Sequence, residues 1–376
     1  MKVFINGRFL TQPVTGVQRY ARCLVTALDD LLGAGEPLGS RSTVTLLYPP
    51  GGQPLHELRH IKAVRAGTLR AHAWEQTELP RLTRGGLLVS LGNTAPALKR
   101  SQVVAIHDAA VFAEPSAFSP AFRTWYRILL PVLGRSAQRI VTVSSFSRSE
   151  LIRHLGTPAH KIRLVPNAPE HIGAARPDPG VFARCGLRDR RFILAVGSRS
   201  LHKNFRVVVE AGRLLASEPF DIVHVGAAND RVFGDVATSS GQDGTRLVSA
   251  GRVTDAELRA LYERAACFVF PSTYEGFGLP ALEAMYCGCP VIAARAASIP
   301  ETCGDAAIYF DPRDPVDLAQ KIRHVMCDVA VHDQLSREGF ARAREFSWPK
   351  SALTLAQVIR ETADDPSGSH PIDDPR

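Results

Sequence analysis

A chain of 376 residues is longer than one ordinary hydrophobic core requires, and it predicts two domains of about 170 to 190 residues each. Its composition, 45% hydrophobic and 22% charged, is typical of a soluble globular protein. No stretch approaches the roughly 20 apolar residues of a membrane span, and the opening MKVFING reads as a strand, without a signal peptide. We therefore expect a cytoplasmic protein.

The seven cysteines are odd in number and lie mostly in apolar runs, which is typical of reduced, buried thiols. Cys287 and Cys289 are one residue apart and have no second pair, so their spacing does not fit a zinc site. We expect no metal ion and no cofactor.

Positive charge is concentrated in the first part of the chain. Residues 1–170 hold 21 Lys and Arg against 10 Asp and Glu, whereas the remaining residues hold 24 against 27. A basic face suits an anionic partner such as a phosphorylated substrate or acidic lipid headgroups, and a solvated Arg-rich surface explains it as well. No zinc-finger, basic-zipper or RNA-recognition signature is present, so we expect no nucleic-acid partner.

Strands alternate with helices along the first 170 residues, which indicates a parallel sheet with helices on both faces. The first strand, Lys2–Ile5, leads through a loop to Gly16, where an amphipathic helix begins. A glycine at a helix start lets a ligand phosphate approach the backbone, but a simple tight turn explains it equally well. Further strands are predicted at Thr43–Tyr48, Leu87–Ser90, Val103–Ile106, Ile140–Val143 and Leu164–Asn167, and a helix at Ala121–Leu133.

His107 follows the strand Val103–Ile106, at a carboxyl end where ligand-contacting residues of parallel sheets tend to lie. An imidazole there can donate a hydrogen bond to a substrate hydroxyl or accept one from it near neutral pH. A single histidine at such a place is also commonly structural. His107 is therefore a candidate site residue whose role the strand pattern leaves open.

A cluster of Pro and Gly at residues 168–190 predicts the linker between the domains, and a second alternating series follows it. After the strand Phe192–Val196 the loop reads Gly197-Ser198-Arg199-Ser200-Leu201-His202-Lys203-Asn204. Its cations stand where charge-assisted hydrogen bonds can hold a diphosphate, although an ordinary basic loop remains the alternative. Further strands are predicted at Ile222–Val225, Thr245–Val248, Cys267–Val269 and Ile308–Phe310, and helices at Val207–Leu215 and Asp255–Ala266.

The stretch AACFVFPSTYEGFGLPALEAMYCGCPVIA, residues 265–293, reads as a strand, a Gly-rich loop and a short helix that Pro280 opens. Glu275 lies in the loop and Glu283 in the helix. The free N–H groups of a helix start suit a phosphate, and the two acids suit hydroxyl groups of the same ligand. Acids that only cap or solvate a buried helix are the alternative.

The last part of the chain has a helical pattern from Pro315 to Phe346. Ser347-Trp348-Pro349 is predicted to interrupt this pattern before a final amphipathic helix at Ala352–Thr362. The polar, Pro-rich tail is predicted to be disordered.

Several motifs, taken in order, resemble the glycosyltransferases of family four, which are retaining enzymes of the GT-B fold. The resemblance covers nearly the whole chain, and its strongest part is the spacing of Glu275 and Glu283 followed by SIPE and GDAA. The other motifs are TGVQRYA, His107-Asp108, VTVSSFSRSEL, VPNA, VGS with HKN, and LYERAACFVFPS.

The resemblance implies an α/β protein in which two Rossmann-like, doubly wound parallel-sheet domains face a cleft. Residues 1–170 would bind the acceptor and residues 171–346 the nucleotide sugar. The helix at 347–363 would cross back to the first domain, and residues 364–376 would form the disordered tail.

Carried over to this chain, the family's catalytic positions correspond to His107, Lys203 and Glu275. Lys203, with help from Arg199, would neutralise the donor diphosphate, and His107 would bond a hydroxyl of the sugar. Glu275 would contact the sugar ring, and Glu283 the ribose diol. The implied donor-binding set is Gly16, Gly197, Ser198, Arg199, Lys203, Asn204, Glu275, Gly276, Phe277, Gly278, Leu279 and Glu283.

Two positions depart from the family's common pattern. Members often have a cation where this chain has Ser198, and many read Arg-Lys where it reads His202-Lys203. The first departure puts the role of Arg199 in doubt, whereas Lys203 matches.

The implied reaction retains the anomeric configuration by front-face substitution and needs no divalent metal, because the chain has no Asp-x-Asp motif and cations take that part. The motif EGFGLPALEAM resembles that of family branches that use GDP-mannose to build surface polysaccharide. A UDP-hexose is the second choice of donor. The acceptor would be a glycan or a polyprenyl-diphosphate-linked saccharide, with peripheral contact to the inner face of the membrane. A non-catalytic nucleotide-sugar-binding protein, an epimerase of the same architecture and an NAD-dependent Rossmann enzyme are the alternatives, and the missing GxGxxG disfavours the last.

Overall fold

The computed structural model describes residues 1–35, 38, 42–55, 57–187, 190–198, 200–226 and 245–365. They divide into two compact units. The first unit is Met1–Asn167 together with the described residues from Ser347 onward, and the second is Ala168–Phe346. Most of the predicted tail, from residue 366, lies outside the described residues.

The first unit contains a parallel sheet of seven described strands in the order β3-β2-β1-β4-β5-β6-β7. The strands are β1 (Lys2–Asn6), β2 (Thr43–Tyr48), β3 (Lys62–Arg65), β4 (Leu87–Ser90), β5 (Gln102–Ala105), β6 (Arg139–Thr142) and β7 (Ile162–Leu164). The edge strand β3 was not predicted, because its four residues are partly exposed and carry no long apolar run. The predicted strand Leu164–Asn167 was placed too late, because Pro166 has no N–H to donate to the sheet.

Helices cover both faces of this sheet and bury apolar side chains against it. The described helices before the linker are α1 (Gly16–Gly33), α2 (Ala71–Ala73), α3 (Leu79–Leu82), α4 (Ala110–Ala113), α5 (Pro120–Ser136) and α6 (Ser145–Leu155). One core cluster joins α5 and α6 to the strands and includes Val104, Leu133 and Leu151, each completely buried. A π-helical turn, Trp74–Glu78, connects α2 to α3.

The second unit contains a parallel sheet of six described strands in the order β10-β9-β8-β11-β12-β13. The strands are β8 (Arg191–Val196), β9 (Phe220–Val225), β10 (Arg246–Gly251), β11 (Cys267–Phe270), β12 (Val291–Ala294) and β13 (Ile308–Phe310). Both sheets thus reverse their direction of growth once, between β1 and β4 in the first and between β8 and β11 in the second. Ligands of doubly wound folds bind at such switch points, outside the carboxyl ends of the strands.

The helices of the second unit alternate with its strands. They are α7 (Glu170–Ala174), α8 (Gly180–Arg184), α9 (Phe205–Leu214), α10 (Asp255–Arg264), α11 (Leu279–Tyr286), α12 (Ile299–Cys303), α13 (Pro315–Cys327) and α14 (Val329–Ala343). The helical pattern predicted from Pro315 to Phe346 is divided at Asp328. Its carboxylate accepts hydrogen bonds from the N–H groups of Ala330 and Val331 and so caps a new helix.

The chain returns to the first unit through the last described helix, α15 (Trp348–Asp364). The predicted interruption before the last helix is present, because residues 344–347 are not helical, but the helix begins at Trp348 and not at Ala352. Ser347 caps α15 and Pro349 occupies its first turn, where a missing N–H costs nothing. The Ser351 hydroxyl donates to the Pro166 carbonyl at 2.8 Å. At the far end of the helix, Arg139 donates to Asp365 at 3.2 Å. None of the described helices is long and apolar enough to cross a membrane.

Gly7 directly follows β1, where the neighbouring strand leaves little space. A Cβ at this position would lie 2.6 Å from the Leu47 carbonyl oxygen and 2.9 Å from the Tyr48 Cβ. At Gly16, by contrast, a Cβ would meet no described atom within 4 Å. Only the first of the two glycines is therefore required by packing.

Gly7→Ala should lower the free energy of unfolding by about 1–3 kcal/mol, because backbone must move to admit the methyl group. Gly16→Ala is the matched control and should leave stability nearly unchanged. Urea unfolding followed by circular dichroism measures both. Equal stability of the two variants would contradict the packing argument.

Candidate functional site

The switch point of the second sheet carries an ion pair between two of the predicted site residues. Lys203 lies in a short 3₁₀ turn after β8, and Glu275 lies in the loop after the adjacent strand β11. The Lys203 Nζ donates to the Glu275 Oε1 at 2.5 Å. The two side chains are 21% and 14% exposed, so the pair is reachable by a ligand and only partly screened by water.

Asn204 fixes the loop that carries Lys203. Its backbone is left-handed, with φ 48°, and its side-chain amide donates to the carbonyls of Pro271 at 3.2 Å and Pro312 at 2.8 Å. The N–H of Thr273 donates to the carbonyl of His202 at 2.8 Å. These bonds join the loop after β8 to the loops after β11 and β13, so the described amide contacts of Asn204 are structural.

The loop that carries Glu275 is held from the side by α12. The Ser298 hydroxyl donates to the Glu275 carbonyl at 2.8 Å, and the Thr302 hydroxyl donates to the Phe277 carbonyl at 2.5 Å. Gly278 then turns the chain with φ 101°, and α11 begins at Leu279. Gly276 to Leu279, whose backbone is predicted to contact the donor, therefore form a loop that is held by side-chain hydrogen bonds and leads into the start of α11.

Glu283 lies one turn into α11 and is almost completely buried. Its carboxylate accepts from the Tyr262 hydroxyl at 3.2 Å, and its other oxygen lies 2.7 Å from the His171 Nε2. Burial raises the pKa of Tyr262 well above its ordinary value, so this phenol stays a donor. The carboxylate is thereby held in one orientation.

Neither partner of Glu283 was proposed from the sequence. Tyr262 lies within the LYERAACFVFPS motif, and that motif was the one signal that could have found it. His171 lies in α7, a five-residue helix in the stretch interpreted as the linker, where the Pro/Gly pattern gave no sign of a site.

Of the remaining predicted residues in the loop after β8, the structure describes Gly197 and Ser198 but not Arg199. The Gly197 N–H donates to the Val225 carbonyl at 3.0 Å, and the Ser198 hydroxyl donates to the Ser200 hydroxyl at 3.1 Å. Arg199 lies outside the described residues, so its predicted contact with the diphosphate stays a prediction.

His107 lies at the carboxyl edge of the first sheet, two residues after the end of β5. Its Nε2 lies 3.2 Å from the Leu91 carbonyl, its N–H donates to Asn93 Oδ1 at 2.8 Å, and its ring packs edge-on against Tyr20. Burial lowers the pKa of His107 to about 4, although the bond to Leu91 works against that shift. The ring is therefore neutral at pH 7, donates through Nε2 and keeps Nδ1 as an acceptor.

Gly16 is the first residue of α1, after the cap residue Thr15. Gln18 completes a capping box with Thr15, which satisfies N–H groups of the first turn. Gly16 is exposed and open to an approaching group.

A buried polar network at the same edge of the first sheet was not predicted. Glu75, in the π-helical turn, accepts from Asn6 at 2.7 Å, Arg8 at 3.1 Å and Thr94 at 2.9 Å. Burial by itself raises the pKa of Glu75, but His72 and Arg8 outweigh it and hold that pKa below its ordinary value. The stretch WEQTE carries no periodicity that announces a π-helical turn, so the sequence offered no signal for this network.

Within the parts of the chain that the structure covers, no group of three or more His, Cys, Asp or Glu side chains is arranged to hold a metal ion. The positive charge at the described part of the second site comes from Lys203.

Two Rossmann-like parallel-sheet domains, each with its polar residues at a switch point, define a protein of the GT-B class. A solved structure supports this: sucrose-phosphate synthase from Thermosynechococcus elongatus superposes with a TM-score of 0.73 over 96% of this chain and 99% of that chain, at 20% identity. Residues 14–170 match the family model described as Glycosyltransferase Family 4, and residues 190–328 match Glycosyl transferases group 1. The chain belongs to this family of glycosyltransferases.

Curated relatives from Escherichia coli carry mannosyltransferase names. The chain is 34% identical to O-antigen chain mannosyltransferase B over 65% of its own length and 66% of that protein. It is 29% identical to the serotype-specific mannosyltransferase WbdA over 62% of its own length and 30% of that protein. The chain thus spans just under two thirds of the first relative and about a third of the second.

The pKa of His107 should lie far below that of an ordinary histidine. Its ring signals in an NMR pH titration should move with a midpoint near pH 4, because the charged form loses hydration on burial. His107→Gln removes these signals and thereby assigns them. In the unfolded chain, His107 takes up its proton near pH 6.5. The burial of the neutral ring therefore contributes fully to the free energy of unfolding above pH 6.5, and this contribution is lost as the pH falls towards 4. A midpoint near 6.5 would refute the buried, neutral assignment.

Proposed function

We propose that this protein is a retaining glycosyltransferase that transfers mannose from GDP-mannose to a glycan or lipid-linked saccharide during surface polysaccharide synthesis. The Lys203–Glu275 pair at the switch point of the second sheet is the observation that carries the proposal. Family membership supports transfer of a sugar, and the mannosyltransferase names of the relatives support mannose.

Lys203 would act on the leaving group. As the bond from the anomeric carbon to the diphosphate breaks, negative charge grows on the phosphate oxygen, and a fixed ammonium stabilises that charge more than it stabilises the bound donor. Glu275 keeps the ammonium in place before the donor arrives. In the complex, Glu275 would accept hydrogen bonds from hydroxyls of the sugar ring.

Glu283 would bind the ribose of the nucleotide. Tyr262 and His171 already orient its carboxylate, so little side-chain freedom is lost when a diol binds. The N–H groups at the start of α11, in the segment Gly276 to Leu279, would donate hydrogen bonds to a phosphate oxygen. Gly197, Ser198, Asn204 and Arg199 complete the proposed donor set.

Retention would follow from front-face substitution. The acceptor oxygen forms its bond to the anomeric carbon on the face from which the diphosphate leaves, and the acceptor proton passes to the departing phosphate oxygen. Glu283 is held by Tyr262 and His171, so it does not resemble a nucleophile of a carboxylate pair. Because Lys203 supplies positive charge to the diphosphate, we propose a reaction without a divalent metal.

Two residues of the first unit keep their proposed roles. His107, neutral at pH 7 with Nδ1 as an acceptor, would take a hydrogen bond from a hydroxyl of the transferred sugar. Gly16 would let backbone approach the donor phosphates, and the open space around it supports this role.

The basic composition of residues 1–170 supports an anionic acceptor, and we propose a polyprenyl-diphosphate-linked saccharide met at the inner membrane surface. The protein would then be cytoplasmic, with peripheral contact to the membrane. It would need no cofactor other than the donor substrate.

The donor and the stereochemistry are tested together. Purified protein with saccharide acceptors should transfer sugar from GDP-mannose faster than from UDP-glucose, UDP-galactose or GDP-fucose, in the presence of EDTA. NMR of the product should show the anomeric configuration of the donor. An inverted linkage would rule out the mechanism, a UDP-hexose preference would replace the donor, and binding without transfer to any acceptor would favour the non-catalytic alternative.

Lys203→Ala should lower kcat/KM for transfer by about 100-fold to 1000-fold, the usual effect of removing one group that stabilises transition-state charge. Lys321→Ala, a surface lysine of the same unit that pairs with Asp317, is the control and should change the rate less than twofold. Thermal unfolding verifies that Lys203→Ala is folded, so that lost activity is not lost packing. A folded Lys203→Ala variant with near-normal transfer would remove Lys203 from the site.

A further inference from the structure

A large cavity opens at the edge of the first sheet opposite to His107. Its volume is about 1050 Å³, and its walls come from the amino ends of the strands, where Lys2, Leu87, Ser101 and Gln138 lie. The proposed donor and acceptor chemistry uses the carboxyl ends, so this cavity is separate from every residue discussed for the reaction.

Cations line the cavity, and its described walls contain no acidic side chain. Five basic side chains, those of Lys2, Lys99, Arg100, Arg135 and Lys161, contribute to its walls, and none of the described residues that line it is Asp or Glu. Like charges gathered around one space repel each other, so their arrangement favours an anion in that space.

Two of the lysines are held in place by the backbone. The Lys99 Nζ donates to the carbonyls of Thr83 at 3.0 Å and Gly86 at 3.1 Å, and the Lys161 Nζ donates to those of Arg135 at 2.8 Å and Ala137 at 3.2 Å. An ammonium has three donors, so each lysine keeps one for a ligand. Burial lowers the pKa of both lysines, and an anion nearby would restore their preference for the charged form.

The other three cations of the cavity, Lys2, Arg100 and Arg135, differ from neighbouring basic residues in their ion pairing. Arg139 pairs with Asp365, and Arg163 pairs with Glu361, on the same side of the unit. For Lys2, Arg100 and Arg135, no salt bridge joins the side chain to any residue that the structure describes. Exposed guanidinium groups beside ammonium groups that the backbone holds in place are a suitable receptor for phosphate, which Arg binds through two parallel hydrogen bonds.

We propose that this cavity binds a phosphate-bearing ligand at a site distinct from the donor site. The helix α5 ends at the cavity, and Val132 on its outer face lines it and is 38% exposed, next to Ile128 at 61%. Exposed apolar side chains beside cations fit the phosphate of a lipid headgroup, and the cations alone fit a free diphosphate. The chemistry shared by both sources is a phosphate with at least one unprotonated oxygen.

The test uses the exposed cations, because their replacement does not disturb packing. In the variant Arg100→Glu with Arg135→Glu, two positive charges become negative. The control variant Arg65→Glu with Arg81→Glu makes the same change in net charge at two exposed positions of the same unit that do not line the cavity. Thermal unfolding of both verifies that they fold, and Arg100→Gln with Arg135→Gln replaces the first variant if it does not.

Two measurements distinguish the sources of phosphate. Flotation with vesicles of phosphatidylcholine, with or without about 30% phosphatidylglycerol, measures lipid binding at moderate salt. Calorimetry with inorganic pyrophosphate measures binding of a free diphosphate, and it uses a Lys203→Ala background so that the second unit contributes less.

A tenfold or larger loss of binding in at least one measurement, with the control variant within about threefold of the parent, is expected because reversed charges repel a phosphate. Loss confined to vesicles identifies a lipid headgroup, and loss confined to pyrophosphate identifies a soluble ligand. If neither measurement detects binding, or if the cavity variant and the control lose it equally, the proposal is wrong. Neither result depends on sugar transfer, so failure of the proposed function would leave this test unaffected.

Discussion

The adjacency of β8 and β11 in a parallel sheet is the constraint on which the second site depends. Lys203 and Glu275 are 72 residues apart in the chain, yet the strand order sets the loops that follow those strands side by side. An ammonium and a carboxylate at 2.5 Å, partly shielded from water, attract each other more strongly than an exposed surface pair. A phosphorylated ligand that enters this space meets a charge whose position is already set.

The polar groups around that pair limit its movement. Asn204, Ser298 and Thr302 each donate a side-chain hydrogen bond to a backbone carbonyl of a neighbouring loop. These bonds lie outside the pairing of the strands. Preorganised groups lose less freedom when a ligand binds, so such bonds contribute to affinity without touching the ligand. Tyr262 has the same effect on Glu283.

The first unit has two chemically different edges. Its carboxyl edge contains a neutral His107 and the buried Glu75–Arg8 pair, in which every charge has a partner within hydrogen-bond distance. Its amino edge instead collects cations around a cavity whose described walls contain no acid. Five of the 21 Lys and Arg side chains of residues 1–170 thus lie around one cavity.

Local pattern was enough for the strand and helix alternation, the polar residues after β5, β8 and β11, and the family, because turn residues and apolar runs act over a few neighbours. It failed where a distant contact decided, since β3 is a strand only because β2 offers an edge. The start of α15 was placed too late although its signals, Ser347 as the cap and Pro349 in the first turn, are local. The partners of Glu283 and Glu75, and the cation-lined cavity, come from segments far apart in the chain. Their distances depend on strand order and helix packing, which no local window of residues contains.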